Sequence, residues 1–233
     1  MTRDFTDGTF RNELKYVCSE TQLFLIEHRI KSMMNMDSHV KGKDGYQIRS
    51  LYFDDYNNTC FYENENGTEP REKFRIRIYD KSTKRILLEL KRKMHGKTQK
   101  LSAPLDEEQC RMLMAGIPLP HSTNYPPVLQ QFNLACKTRF MKPKIIVEYN
   151  RIPYVYREGN VRVTFDRHIT SSSHIANFLE QTISKRPIMP IGQHVLEVKY
   201  DAYLPDVIYH TLELDSLKQA TFSKYYLCRK YAL

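Results

Sequence analysis

Lys73, Arg75, Arg77 and Tyr79 fall at alternate positions in a run whose other members, Phe74, Ile76 and Ile78, are apolar. A strand sends residues i, i+2 and i+4 to one side, so this segment offers one apolar and one cationic face. Leu87, Glu89, Lys91 and Lys93 repeat the pattern, and Arg11-Glu13-Lys15, Arg162-Thr164-Asp166 and Val195-Glu197-Lys199 mix bases with carboxylates in the same way. A single strand of this kind reads most simply as the solvated outer face of an antiparallel sheet. Five of them read differently. A sheet closed on itself would turn these groups inward, where ammonium and guanidinium groups repel unless an anion occupies the space. Arg offers a bidentate fork and Lys a point charge, which suits phosphate better than carboxylate, so the expected ligand is an elongated phosphate-bearing polyanion. The interleaved Glu13, Glu89 and Glu197 would either neutralise the bases or hold a divalent metal.

The elements that must position these residues follow from periodicity and punctuation. Phe10 to Val17 reads as a first strand, and Ser19 as the N-cap of a helix running to about Met34 along Leu23, Ile26 and Ile30. Further strands are expected over 47–53, 73–80, 86–93 and 100–105, with loops such as Glu63 to Gly67 between them. Helices are expected over 106–115 and 128–140, set apart by Gly116 and the prolines at 118, 120, 126 and 127. Strands return over 144–151, 161–166 and 194–200, and helices over 207–217 and from Ser223 to the C-terminus. The predicted class is α+β: a closed antiparallel barrel of about eight strands forming a charged tunnel, helices packed outside it, and the whole chain, 1–233, one domain. Counting from Lys144 by strict alternation puts Glu148 and Arg151 on opposite faces, so without a bulge only one of them looks inward.

Composition narrows the function classes. At 233 residues and 41% hydrophobic content the chain can bury a sizeable core, which excludes intrinsic disorder. Thirty-six basic residues against twenty-seven acidic give +9, which favours an anionic partner. Five Cys, an odd number without a C-x-x-C pair, fit neither a disulfide framework nor a zinc finger, and point to a reducing cytoplasm. Met1 to Phe10 has no apolar h-region, and no run approaches the roughly 18 apolar residues of a membrane helix. The eight His show no zinc-binding spacing, and G-x-S-x-G, Walker and G-x-G-x-x-G motifs are absent. The basic stretch from Lys84 to Lys100 could hold nucleic acid non-specifically. Yet Glu89 shares a face with Lys91 and Lys93, and an interleaved carboxylate contributes nothing to such a patch, so no nucleic-acid partner is expected.

Taken together in chain order, Glu13-Leu14-Lys15-Tyr16, Ser50-Leu51-Tyr52-Phe53-Asp54, Arg75-Ile76-Arg77, Glu89-Leu90-Lys91, Tyr149-Asn150-Arg151, Val161-Arg162-Val163, Leu196-Glu197-Val198-Lys199-Tyr200 and Phe222-Ser223-Lys224-Tyr225 resemble the VTC (vacuolar transporter chaperone) domain. That family is the polyphosphate polymerase branch of the triphosphate tunnel metalloenzymes, the CYTH-like superfamily. Each motif alone is weak; eight in order over one chain are specific. The resemblance implies a tunnel in which Lys15, Arg75, Arg77, Lys91, Arg151, Arg162 and Lys224 grip phosphates, with Lys100 as an eighth, Ser223 near the phosphate chain and Glu197 on a divalent metal, Mn or Mg. Glu13, Glu89, Lys93 and Lys199 are the remaining expected contacts, and Arg151 is preferred over Glu148 as the inward residue. The implied partners are ATP and polyphosphate.

The implied reaction is transfer of the ATP γ-phosphoryl group to the end of a polyphosphate chain. Its nucleophile is already an anion, so it needs charge cancellation and in-line positioning rather than a general base. A triphosphate hydrolase or cyclase of the same superfamily would also activate water or a ribose hydroxyl, with carboxylates and more than one metal. Those relatives resemble E-x-E-x-K at the first strand, where this chain has Arg11 at the first acidic position. A non-catalytic polyphosphate or triphosphate sensor shares every binding residue and stays open. Thr221 stands where the eukaryotic members resemble a further Lys. Those members also resemble a longer protein with an inositol-phosphate-sensing domain and membrane helices, neither of which is read in these residues.

Overall fold

The computed structural model describes residues 8–38, 40, 42 and 45–232, so residues 1–7, on which part of the reading of the N-terminus rests, lie outside it. In chain order the elements are β1 (Asn12–Ser19), α1 (Glu20–Ile30), β2 (Asn35–Met36), β3 (Tyr46–Asp54), α2 (Thr59–Glu65), β4 (Arg71–Tyr79), β5 (Ser82–Met94), β6 (Lys97–Leu105), α3 (Glu107–Met114), α4 (Pro127–Thr138), β7 (Lys142–Tyr156), β8 (Val161–Ser172), β9 (Arg186–Pro187), β10 (Gln193–Tyr200), α5 (Asp206–Thr211) and α6 (Lys224–Lys230). The long strands make one antiparallel sheet in the order β1-β10-β8-β7-β3-β4-β5-β6, with β2 appended to β7 and β9 to β8.

The alternation seen in the sequence sorts side chains to the two faces of this sheet. Outward, Phe74, Ile76, Ile78, Leu88 and Leu90 of β4 and β5 pack against Cys110 and Leu113 of α3 and Leu129 and Phe132 of α4. On the other half, Tyr16, Val163, Phe165, Leu196 and Val198 pack against Leu23, Ile26 and Ile30 of α1 and Ile208 of α5. Helices therefore cover the convex face, and the charged alternates are left for the concave one. A third apolar cluster lies within the curl itself, where Ile48, Val147, Tyr149, Ile169 and Val195 meet Phe222, Tyr225 and Cys228 and fill one end.

The expected closure does not occur: the sheet is curled but open between β1 and β6. Residues 12–19 of β1 are all engaged by β10, and only the residue before them, Arg11, bridges to Thr98 at the start of β6. That pair exchanges backbone bonds of 2.9 and 2.8 Å, after which the two edges separate. The curl staggers the strands so that β1 meets the β5–β6 turn rather than the length of β6, a shear that alternation along single strands does not encode.

Several boundaries also move. Ser19 does cap α1, its Oγ accepting the Gln22 N–H at 3.2 Å while Gln22 Oε1 accepts the Ser19 N–H at 2.9 Å. The helix stops at Ile30 rather than Met34, because residues 31–33 turn the chain toward β2. The segment read as one helix over 207–217 ends at Thr211, since Glu213 takes a left-handed φ of 50° that no α-helix continues through. Part of the expected loop Glu63 to Gly67 is the end of α2. No helix among the described residues is long and apolar enough to cross a membrane.

Candidate functional site

The concave face bounds a cavity of about 1280 Å³ that follows β4 from Arg71 to Tyr79. Among the described residues, fourteen Lys and Arg side chains line it against five carboxylates, a balance that suits an anion of several charges. The structure brings Lys15, Arg75, Arg77, Lys91, Lys93, Lys100, Arg151, Arg162, Lys199 and Lys224 to this one cavity, together with Glu13, Glu197 and Ser223. Glu89 is placed differently. It is fully buried behind the guanidinium groups rather than in the lining, and positions cations instead of facing the space.

Like charges this close need carboxylates behind them, and most of these bases have one. Glu89 accepts from Arg75 Nε at 2.7 Å and stands 3.4 Å from both Arg77 and Lys100. Burial alone would push its carboxyl upward, but Arg77 and Arg75 outweigh this and hold it well below the usual carboxylate range. Asp166, equally buried, takes the Arg151 guanidinium through two bonds of 2.6 and 2.7 Å and the Lys224 ammonium at 2.6 Å. Glu13 joins Lys15 and Lys91 at 2.8 Å each, and Glu197 joins Lys199 at 2.8 Å and Arg151 at 3.5 Å. Asp37 holds Arg162 at 2.9 Å. Phenols complete the grip: Arg75 donates to the Tyr52 hydroxyl at 2.9 Å and Arg77 to that of Tyr149 at 3.3 Å.

The rivalry between Glu148 and Arg151 is settled by the alternation of β7, since the bulge here lies in the neighbouring strand. Between the pairs Glu148↔Thr170 and Asn150↔Arg167, β8 spends one residue more than β7, with His168 at a φ of 53°. From Ile145 to Arg151 β7 keeps strict alternation against β3, so Tyr149 and Arg151 turn inward and Glu148 turns out, where Arg49 donates to it at 2.7 Å and Lys185 joins it.

Ser223 and Lys224 arrive on α6, which Asp54 ties to the sheet. The Asp54 carboxylate accepts from the backbone N–H groups of Asp55, Cys60 and Phe61 and from the Tyr225 hydroxyl at 2.5 Å. Ser223 Oγ caps the helix by accepting the Tyr226 N–H at 3.2 Å. Asp166, Asp37, Tyr52 and Tyr149 are not among the site residues expected from the sequence. Asp166 carried a usable signal, since it alternates with Arg162, whereas Asp37 sits in a stretch with no periodicity at all.

Glu13 and Glu197 also bear on a metal. In each, burial alone would raise the carboxyl; Lys15 and Lys91 outweigh it for Glu13, and Lys199 and Arg151 for Glu197, holding both well below the usual range. No three His, Cys, Asp or Glu side chains converge among the described residues. Two ionised carboxylates beside an anion cavity fit Mg²⁺ or Mn²⁺, which take one or two carboxylates and complete their shell from phosphate oxygens and water.

Removing the charge behind the bases should be costly. Glu89→Gln leaves Arg75, Arg77 and Lys100 without their buried counter-ion, and we expect a loss of about 3 kcal/mol at pH 7, read as a Tm lower by roughly 6–12 °C. Because the folded-state pKa of Glu89 is depressed, its stabilisation is present above the ordinary Glu value of about 4.3 and is lost as pH falls toward the depressed value. The gap between wild type and variant should therefore narrow on acidification below that value. Calorimetric scans showing a constant gap down to acid pH would contradict this.

Curated proteins give no match. HpAC1 from Hippeastrum, described as a candidate adenylyl cyclase with a dominant triphosphatase activity, shares the fold at a TM-score of 0.51 and 12% identity, with 96% of each chain covered. The PH1819 protein of Pyrococcus horikoshii OT3 aligns at a TM-score of 0.49 and 13% identity, covering 95% of this chain and 99% of its own. A Bacillus halodurans protein described as a candidate adenylate cyclase aligns at 0.47 and 13%, covering 88% and 87%. The family model for the VTC domain matches residues 10–233, the same span that folds into the curled sheet and sets its bases around one cavity, and the chain belongs to the VTC domain family.

Proposed function

We propose that the cavity is the active site of a metal-dependent polyphosphate polymerase, which moves the γ-phosphoryl group of ATP onto the end of a growing polyphosphate chain. The observation that carries this reading is the state of the carboxylates. Those nearest the bases, Glu13, Glu89, Asp166 and Glu197, are all held by cations and kept below the usual range. A carboxylate so stabilised is a poor proton acceptor at neutral pH, which disfavours activation of water or a ribose hydroxyl. A terminal phosphate oxygen needs no such help. It attacks the γ-phosphorus, the bond from that phosphorus to the β-bridging oxygen breaks, and ADP leaves. Arg11 strengthens the same preference: it is bound to Asp201 at 2.7 Å and adds a base where hydrolase and cyclase relatives resemble an acid.

In this reading Arg75, Arg77, Lys15 and Lys91 hold the phosphoryl oxygens and offset their charge, while Arg151 and Lys224, fixed by Asp166, orient the donor and acceptor ends. Glu197, with Glu13 beside it, would hold Mn²⁺ or Mg²⁺, which supplies further neutralisation of phosphoryl charge when bound. All five Cys are buried and unbridged, as suits the proposed cytoplasmic setting. Incubation of the purified protein with ATP and Mn²⁺ or Mg²⁺, followed by a gel resolving phosphate oligomers, should give a ladder of lengthening products. Orthophosphate alone would indicate a triphosphatase and cyclic nucleotide a cyclase; triphosphate binding without product under any divalent metal would indicate a sensor.

A further inference from the structure

Lys73 differs from the bases around it in the company it keeps. Lys15, Arg75, Lys91, Arg151 and Arg162 each meet a carboxylate. Lys73 Nζ instead donates to Asn64 Oδ1 at 2.7 Å and to Ser223 Oγ at 3.2 Å, both neutral, and lies 5.5 Å from the centre of the Tyr225 ring. Its place is equally particular. It stands on the inner face of β4, one alternate step, about 7 Å, beyond Arg75 and two beyond Arg77, at the end of the cavity bordered by Asn64, Gly67 and Ser223.

We propose that Lys73, Asn64 and Ser223 form an end subsite that takes the phosphate next along from those gripped by Arg75 and Arg77, so that the cavity prefers chains longer than a triphosphate. The inference rests on the polyphosphate reading above and adds to it the choice of chain length. Among the described residues no carboxylate pairs with the Lys73 ammonium, so an anion arriving here would have it to itself, whereas at Arg75 it must share the guanidinium with Glu89. Asn64 and Ser223 add a neutral amide and hydroxyl of the kind that hydrogen-bond phosphate oxygens.

The charged surroundings give the subsite a pH signature. Arg71 precedes Lys73 on the same strand and Lys91 pairs with it on β5; the charges that act on it also include Lys15 of β1 and, with opposite sign, Asp54, Cys60 and Glu63. Asp54 is already committed to four donors. Burial, with Arg71 and Lys15 adding to it, lowers the Lys73 ammonium to about 7. Below that pH the ammonium is present before the anion arrives; above it, binding must draw a proton from solvent.

Isothermal titration with tripolyphosphate and tetrapolyphosphate at pH 6 and pH 8.5 tests this. Wild type should bind tetrapolyphosphate roughly tenfold tighter than tripolyphosphate at pH 6, with a smaller margin at pH 8.5, where buffers of different ionisation enthalpy should report proton uptake. Lys73→Met should erase the margin and the proton uptake while keeping tripolyphosphate affinity. Lys73→Arg, charged throughout, should keep the margin at both values of pH. Equal margins in wild type and Lys73→Met, or tight tripolyphosphate binding by wild type with no margin, would overturn the subsite and leave the polymerase reading standing. Failure of wild type to bind either chain would overturn both.

Discussion

Glu197→Gln is expected to leave metal-free tripolyphosphate binding intact, or to tighten it, while cutting metal-dependent transfer about a hundredfold or more. The two halves of this result come from two neighbours of one carboxylate. Glu197 stands 2.8 Å from Lys199 and 3.5 Å from Arg151, so neutralising it releases positive charge toward the cavity. Arg151 keeps its place through Asp166, and the lining should persist. The same substitution removes the carboxylate proposed to hold the metal. Titration with and without Mn²⁺, set beside single-turnover transfer from ATP, separates the effects. Intact polymer formation in Glu197→Gln would show that the metal assignment is wrong.

Arg75→Ala should act on binding and turnover together. Its guanidinium is anchored by Glu89 at 2.7 Å and by the Tyr52 hydroxyl at 2.9 Å, with 13% of the side chain reaching the cavity. A charge-assisted bond to phosphate is worth about 1.5–3 kcal/mol, so tripolyphosphate affinity should fall roughly ten- to a hundredfold. Because the contact serves ground and transition states alike, kcat/KM should fall at least as far. Arg77 and Lys100 still neutralise Glu89, so the variant should remain folded, which circular dichroism can verify. A variant that binds tripolyphosphate like wild type would place the ligand elsewhere in the cavity.

What the sequence revealed and what it concealed divide along a physical line. Alternation on β4 and β5 named the inward bases because a strand's two-residue period is a property of the strand alone. Ser19 and Gln22 announced the start of α1 because a capping box is local too. The open seam between β1 and β6 depends on the stagger accumulated across the whole sheet, and no segment carries it. Asp166 escaped as a site residue because its importance lies in what approaches it, Arg151 from β7 and Lys224 from α6. Arg49 is a plainer instance. It sits within a strand read from 47–53, yet it is almost wholly buried, bonded to Glu148 and to the carbonyls of Phe178 and Glu180, partners about a hundred residues or more distant.

The carboxylates behind the bases also determine when the cavity is put in order. Long cationic side chains lose rotamer freedom on being fixed, at roughly 1.5–2 kcal/mol each, and an unsupported cluster would meet that cost as its ligand arrived. Here Glu89, Asp166 and Glu13 immobilise Arg75, Arg77, Arg151, Lys224, Lys15 and Lys91 while the chain folds. A flexible polyphosphate, the substrate proposed above, would thus enter a preorganised electrostatic frame, leaving the entropy of association mainly to the polymer and to the water and counter-ions it sheds.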